Sequence, residues 1–124
     1  MSGFSKLEGE TIVSIKQEGE ISLTITCKSG NTYFMFGDDG GDGNDVYVWL
    51  EDVVGDFEDV LGSKVLLAEV RTNKGKESWE STTWTFYTIR TTKGSVDLRW
   101  CGRSNGYYCE EVNFSGEDKS GKLL

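Results

Sequence analysis

The run Gly40-Gly41-Asp42-Gly43-Asn44-Asp45-Val46-Tyr47-Val48 sets carboxylates at short, glycine-spaced intervals, the chemistry of a hard cation that prefers oxygen. It fits, position by position, the nine-residue Gly-Gly-x-Gly-x-Asp-x-apolar-x repeat of calcium-binding β-rolls. In such rolls the ion sits between consecutive turns, and about three or more copies are needed to bury a core. This chain has one copy. Calcium takes about six to eight oxygens in irregular geometry, so Asp38, Asp39, Asp42 and Asp45 are the candidate ligands, and calcium is the one cofactor the sequence suggests. The competing reading is a solvated glycine-rich loop.

Those four aspartates open a longer acidic block. With Glu51, Asp52, Asp56, Glu58 and Asp59 they put nine carboxylates into the 22 residues from 38 to 59, with no Lys or Arg among them. Such a block can keep a small domain soluble, or it can imitate the phosphate track of nucleic acid and occupy a basic groove on another protein. Trp79, Tyr107 and Tyr108 sit among polar and turn residues, where aromatic side chains serve as interface anchors. Arg90, Arg99 and Arg103 are close enough in sequence to bind an anion or to pair with Glu110 and Glu111.

Composition removes other chemistry. The 124 residues contain no His, so the commonest general base and metal ligand is missing and no catalytic residue is assigned. Cys27, Cys101 and Cys109 match no zinc spacing and read as reduced thiols in a reducing compartment. Thirteen basic against 21 acidic residues give a net charge of −8, which argues against direct binding to nucleic acid or to an anionic membrane. No stretch approaches the ~20 apolar residues of a membrane span, and the first residues lack the apolar run of a secretory signal, so a cytoplasmic protein is expected.

The elements that must position these residues are strands. Apolar and β-branched residues recur with period two, broken by Gly, Asn, Asp and Ser. The expectation is one mainly β domain over 1–124, an antiparallel sheet of about seven strands in a partly open barrel or two layers, with one short helix. Strands are expected over 11–17, 20–28, 32–36, 46–53 and 64–71, and the helix over 55–62, with Asp56 as N-cap and Gly62 as stop. The polar segment 72–81 reads as the longest loop, and 116–124 as a frayed tail.

Toward the C-terminus, a Lys93-Gly94 turn pairs Thr92 with Ser95, Ile89 with Leu98 and Tyr87 with Trp100. Trp84 and Phe86 point opposite to Tyr87 and Ile89, which makes their strand central or covered on both sides. A three-residue turn at Ser104-Asn105-Gly106 would set Leu98 against Val112, Val96 against Phe114 and Cys101 against Cys109. An exposed edge beside Tyr107 and Tyr108 would allow a homodimer.

The run from Thr83-Trp84-Thr85-Phe86-Tyr87-Thr88-Ile89-Arg90-Thr91 through Gly94-Ser95-Val96-Asp97-Leu98-Arg99-Trp100-Cys101-Gly102-Arg103-Ser104-Asn105-Gly106-Tyr107-Tyr108-Cys109-Glu110-Glu111-Val112 closely resembles a family of small uncharacterised bacteriophage-encoded proteins. The resemblance extends upstream through 50–62 and, more weakly, the first hairpin. Members of that family commonly carry a His-Asp-x-x-Cys-Cys-Glu segment after the third strand. Here Gly37 to Asp45 stands in its place, so soft-metal chemistry does not carry over. The resemblance implies a setting, the cytoplasm of an infected bacterium. The functional expectation is an accessory or anti-defence protein that binds a host protein, such as a basic nucleic-acid-binding defence complex, through the acidic block.

Overall fold

A computed structural model describes residues 3–39, 46–77, 80–104 and 112–124. Its strands are β1 (Ile12–Glu18), β2 (Ser22–Cys27), β3 (Thr32–Phe36), β4 (Asp38–Asp39), β5 (Tyr47–Val54), β6 (Val65–Glu77), β7 (Glu80–Thr91), β8 (Ser95–Ser104) and β9 (Asn113–Glu117). They form two antiparallel sheets, one in the order β1-β2-β3-β9 and one in the order β4-β5-β8-β7-β6. The mainly β class is as expected. The described residues hold nine strands where about seven were expected, and of the two expected architectures they form two sheets, with no closed barrel among them.

The first hairpins follow the alternation of the sequence. Leu23, Ile25 and Cys27 of β2 point into the core, as do Tyr33 and Met35 of β3. The chain leaves the first sheet at Gly37, whose N–H bonds the Ile21 carbonyl at 2.8 Å while its Cα faces the Val48 backbone of the second sheet. One apolar cluster joins the sheets: Leu23, Ile25 and Met35 from the first meet Leu50, Leu98 and Trp100 from the second. Phe4 and Leu7, on a 3-10 turn over Phe4–Leu7 that the sequence reading did not anticipate, are buried in the same cluster.

Several expectations are overturned. The helix over 55–62 is a single 3-10 turn, Phe57–Val60, because Leu61 is already extended. Its acidic start is as expected: the Asp56 N–H donates to the Asp59 carboxylate at 3.4 Å, and the Asp59 N–H donates to the Asp56 carbonyl at 3.0 Å. The expected loop over 72–81 is strand, since β6 and β7 pair from Val65↔Thr91 to Glu77↔Glu80. Backbone hydrogen bonds hold that ribbon without the apolar alternation that marks a strand lying on a core.

The β7–β8 hairpin is shifted by two residues from the expected register, so that Ile89 faces Val96 and Tyr87 faces Leu98. Thr91 is the cause. Its hydroxyl accepts from the Lys93 and Gly94 N–H groups, both at 3.1 Å, and donates to the Gly94 carbonyl at 3.0 Å, centring the turn on Thr92-Lys93. A shift of two leaves each side chain on its expected face.

The expected β8–β9 pairing does not occur. Both edges of β8 are taken, by β5 and β7, so Leu98 faces Val53 and Tyr87, while Phe114 of β9 faces Met35 of β3. Cys101 accordingly lies between Trp49 and Trp84, and Cys109 lies outside the described residues. The tail expected to fray is closed: Glu117 bridges Leu123, and Leu124 N–H donates to the Gly116 carbonyl at 3.0 Å.

Candidate functional site

Two surfaces of the five-stranded sheet gather the chemistry-bearing residues. The first is its acidic edge. Asp38 pairs with Val48 and Asp39 with Tyr47, so both start the sheet beside β5. Along β5 the register slips between Leu50 and Asp52, leaving Glu51 as the extra residue of a bulge. The bulge presents Glu51 and Asp52 side by side to solvent and turns Val53 back onto the core. Asp56, Glu58 and Asp59 follow on the 3-10 turn, all exposed.

Cations reach this edge at two points. Arg99 pairs with Asp52 at 3.6 Å, and the Lys93 ammonium donates to the Glu58 backbone carbonyl at 3.0 Å. Glu51 accepts from Trp49 Nε1 at 3.0 Å. Charges on the flank of an edge strand also oppose pairing with another chain, so solubility alone would justify part of this arrangement.

Of the residues singled out from the sequence, Glu51, Asp52, Asp56, Glu58 and Asp59 lie along the end of β5 and the following 3-10 turn, with Asp38 and Asp39 on the adjoining strand. Asp42 and Asp45 of the calcium reading, and the anchors Trp79, Tyr107 and Tyr108, lie outside the described residues. Among the described residues no three His, Cys, Asp or Glu side chains gather around a possible ion.

The second surface was not anticipated. On the outer face of the same sheet, register places Arg71, Phe86, Arg99 and Asp52 in one cross-strand row. Asn73, Trp84, Cys101 and Trp49 form the next, and Thr82, Arg103 and Tyr47 a third. Arg90 stands on this face beyond Thr88. The chain has four arginines, and all four are here. The Arg99 guanidinium lies over the Trp84 ring, 5.6 Å from its centroid. Trp49, Trp84 and Phe86 are half-buried and Tyr47 is 50% exposed.

The signal was present in the sequence. Arg99, Cys101 and Arg103 alternate with the buried Leu98 and Trp100, and Trp84, Phe86 and Arg90 alternate with Tyr87 and Ile89. β7 is central, as the two-faced pattern implied, but its outer face was read as packing.

Fold and surface together define a small antiparallel β domain that presents an acidic edge beside an aromatic and arginine-bearing sheet face. Residues 5–114 match the family described as "Domain of unknown function (DUF7448)", and the chain belongs to that family. No curated protein and no solved structure matches it.

Proposed function

We propose that this chain is a small non-catalytic binding protein whose acidic edge occupies a basic surface of a partner protein. In the finer form of this reading it is encoded by a bacteriophage and acts in the host cytoplasm as an anti-defence inhibitor. There it stands in for nucleic acid on a basic host complex. The phage setting rests on the sequence resemblance, and the non-catalytic reading on the missing histidine.

One observation carries the proposal: five exposed carboxylates, Glu51, Asp52, Asp56, Glu58 and Asp59, follow one another along the end of β5 and the next turn. Among the described residues only Asp52 of these is in an ion pair. A basic groove shaped for phosphates would meet such a run of carboxylates with complementary charge.

The test is affinity capture from bacterial lysate at low and high salt, comparing the native chain with a Glu51→Gln, Glu58→Gln, Asp59→Asn variant. The expected result is a partner captured at low salt, weakened at high salt, lost with the variant and displaced by added DNA. A partner held equally by both proteins, or held independently of salt, would refute the acidic edge as the contact.

A further inference from the structure

The net charge of −8 conceals a segregation that the fold makes plain: every arginine of the chain is on the outer face of one sheet, interleaved with aromatic rings. We propose that the outer face of β6, β7 and β8 binds a single-stranded oligonucleotide. Its bases stack on Trp84 and Phe86, and its phosphates meet Arg71, Arg90 and Arg103.

Trp84 and Phe86 are two residues apart on one strand and so stand ~7 Å apart on the same face. Arg71 and Arg99 flank Phe86 across the neighbouring strands. Stacking rings on a sheet with cationic side chains around them is the chemistry that holds unpaired bases and their backbone, because each base offers a π-face whatever its identity. Arg71 and Arg90 are exposed and make no ion pair among the described residues, so their charge is available to an incoming anion.

Hydrogen bonds orient three of the acids on this face without removing their charge, and one of them is also ion-paired. Asp97 accepts from the Thr88 hydroxyl at 2.6 Å, Glu51 from Trp49 Nε1, and Asp52 from the Val53 N–H at 2.8 Å while pairing with Arg99. Glu69 is an exposed acid of the face among the described side chains, and register sets Glu77 and Glu80 at its far end, beyond Thr82. The acidic edge at β5 repels phosphate, which confines the strand to the β6–β8 side. Asn73 and Thr82, the neutral polar side chains opposite Trp84 and Arg103, lie off the central row. Recognition therefore rests on base planes and phosphates, chemistry that single-stranded DNA and RNA share.

The experiment is fluorescence anisotropy with labelled oligothymidylate and oligouridylate of about twelve nucleotides, a length within the range of single-strand sites. A duplex of equal length serves as competitor, and intrinsic tryptophan emission is recorded in parallel. The expected result is binding of the single strands with quenching of tryptophan emission and little competition by the duplex. With two or three phosphates engaged, log K against log salt falls with a slope of about −1.4 to −2.

Arg71→Gln with Arg90→Gln weakens binding about tenfold and flattens that slope by about 1.4, and Trp84→Leu also weakens it about tenfold. Because Trp84 is half-buried, the exposed arginine pair is the decisive variant, its fold verified by circular dichroism. Glu58→Lys, which changes the acidic edge, leaves affinity equal or raises it, separating this face from the edge of the preceding proposal. A preference for the deoxy or the ribo strand supports the proposal and identifies the source. Absence of binding by both strands, equal affinity for duplex, or affinity unchanged by the arginine pair overturns it.

Discussion

Glu10 is the residue on which side chains of the first sheet converge. Its carboxylate accepts from the Ser29 hydroxyl at 2.8 Å, Asn31 Nδ2 at 2.8 Å and the Tyr33 hydroxyl at 3.0 Å. Burial, then the bond and charge of Glu10, push the Tyr33 phenol from 10.0 up to about 12. Burial and the same carboxylate push the Cys27 thiol from 9.0 up to about 12. A raised pKa means that the folded state favours the protonated phenol. Its stabilising effect is therefore complete below pH 10 and is lost as pH rises through about 12. Absorbance titration should show Tyr33 ionising well after the exposed Tyr47, and Glu10→Gln should bring it earlier. Glu10→Ala, which orphans three donors, should cost ~2 kcal/mol in urea unfolding.

At the other end of the sheet, Asp118 accepts from the Ser120 hydroxyl at 2.6 Å and from the Ser120 and Lys122 N–H groups at 2.9 and 3.0 Å. These bonds hold its carboxyl below the ordinary carboxylate range. The tail turn is therefore closed above that range and opens as pH falls through the lowered value. Asp118→Ala should speed amide exchange at Ser120 and Lys122 at neutral pH, with the core amides unchanged.

Among the elements, Gly37 is where the chain passes from one sheet to the other. A Cβ there would run into the Val48 carbonyl, a backbone atom that cannot turn aside. Gly37→Ala should cost ~3 kcal/mol, read as a shift in the urea midpoint. Gly19, open to solvent but at φ +65, should tolerate Ala with a smaller loss. The hairpins through 36 were legible because turn residues and alternation agree there. β6 beyond Arg71 was not, because Thr72 to Glu77 carries no apolar alternation and its pairing is made by the backbone. The β8–β9 error came from assigning neighbours in sequence as neighbours in space, when β9 crosses to β3. At the site, the acidic edge could be read as a composition run, whereas of the arginine face only the alternation within β7 and β8 could. Its rows combine residues from four strands, and only the register brings Arg71 beside Phe86 and Arg99.

For the whole molecule, the shared core makes the two sheets one cooperative unit in the described structure. Cys27 reports on the first sheet and Cys101 on the second, and both are buried. Alkylation mapped by mass spectrometry across a urea series should show both thiols becoming reactive at one midpoint. Separate midpoints would show that each sheet opens by itself. At neutral pH in the absence of urea, Cys27 should resist alkylation, as burial and a scarcity of thiolate act in the same direction.

The place of β9 beside β3 also has a consequence for synthesis. The strand that completes the first sheet starts at Asn113, whereas β3 ends at Phe36. At roughly 5 to 20 residues per second, the intervening chain takes about 4 to 15 s to translate. Throughout that interval the outer edge of β3, with Met35 and Phe36, has no strand to pair with. The nascent chain must therefore carry an open edge for seconds, until the ribosome has added the strand that closes the first sheet.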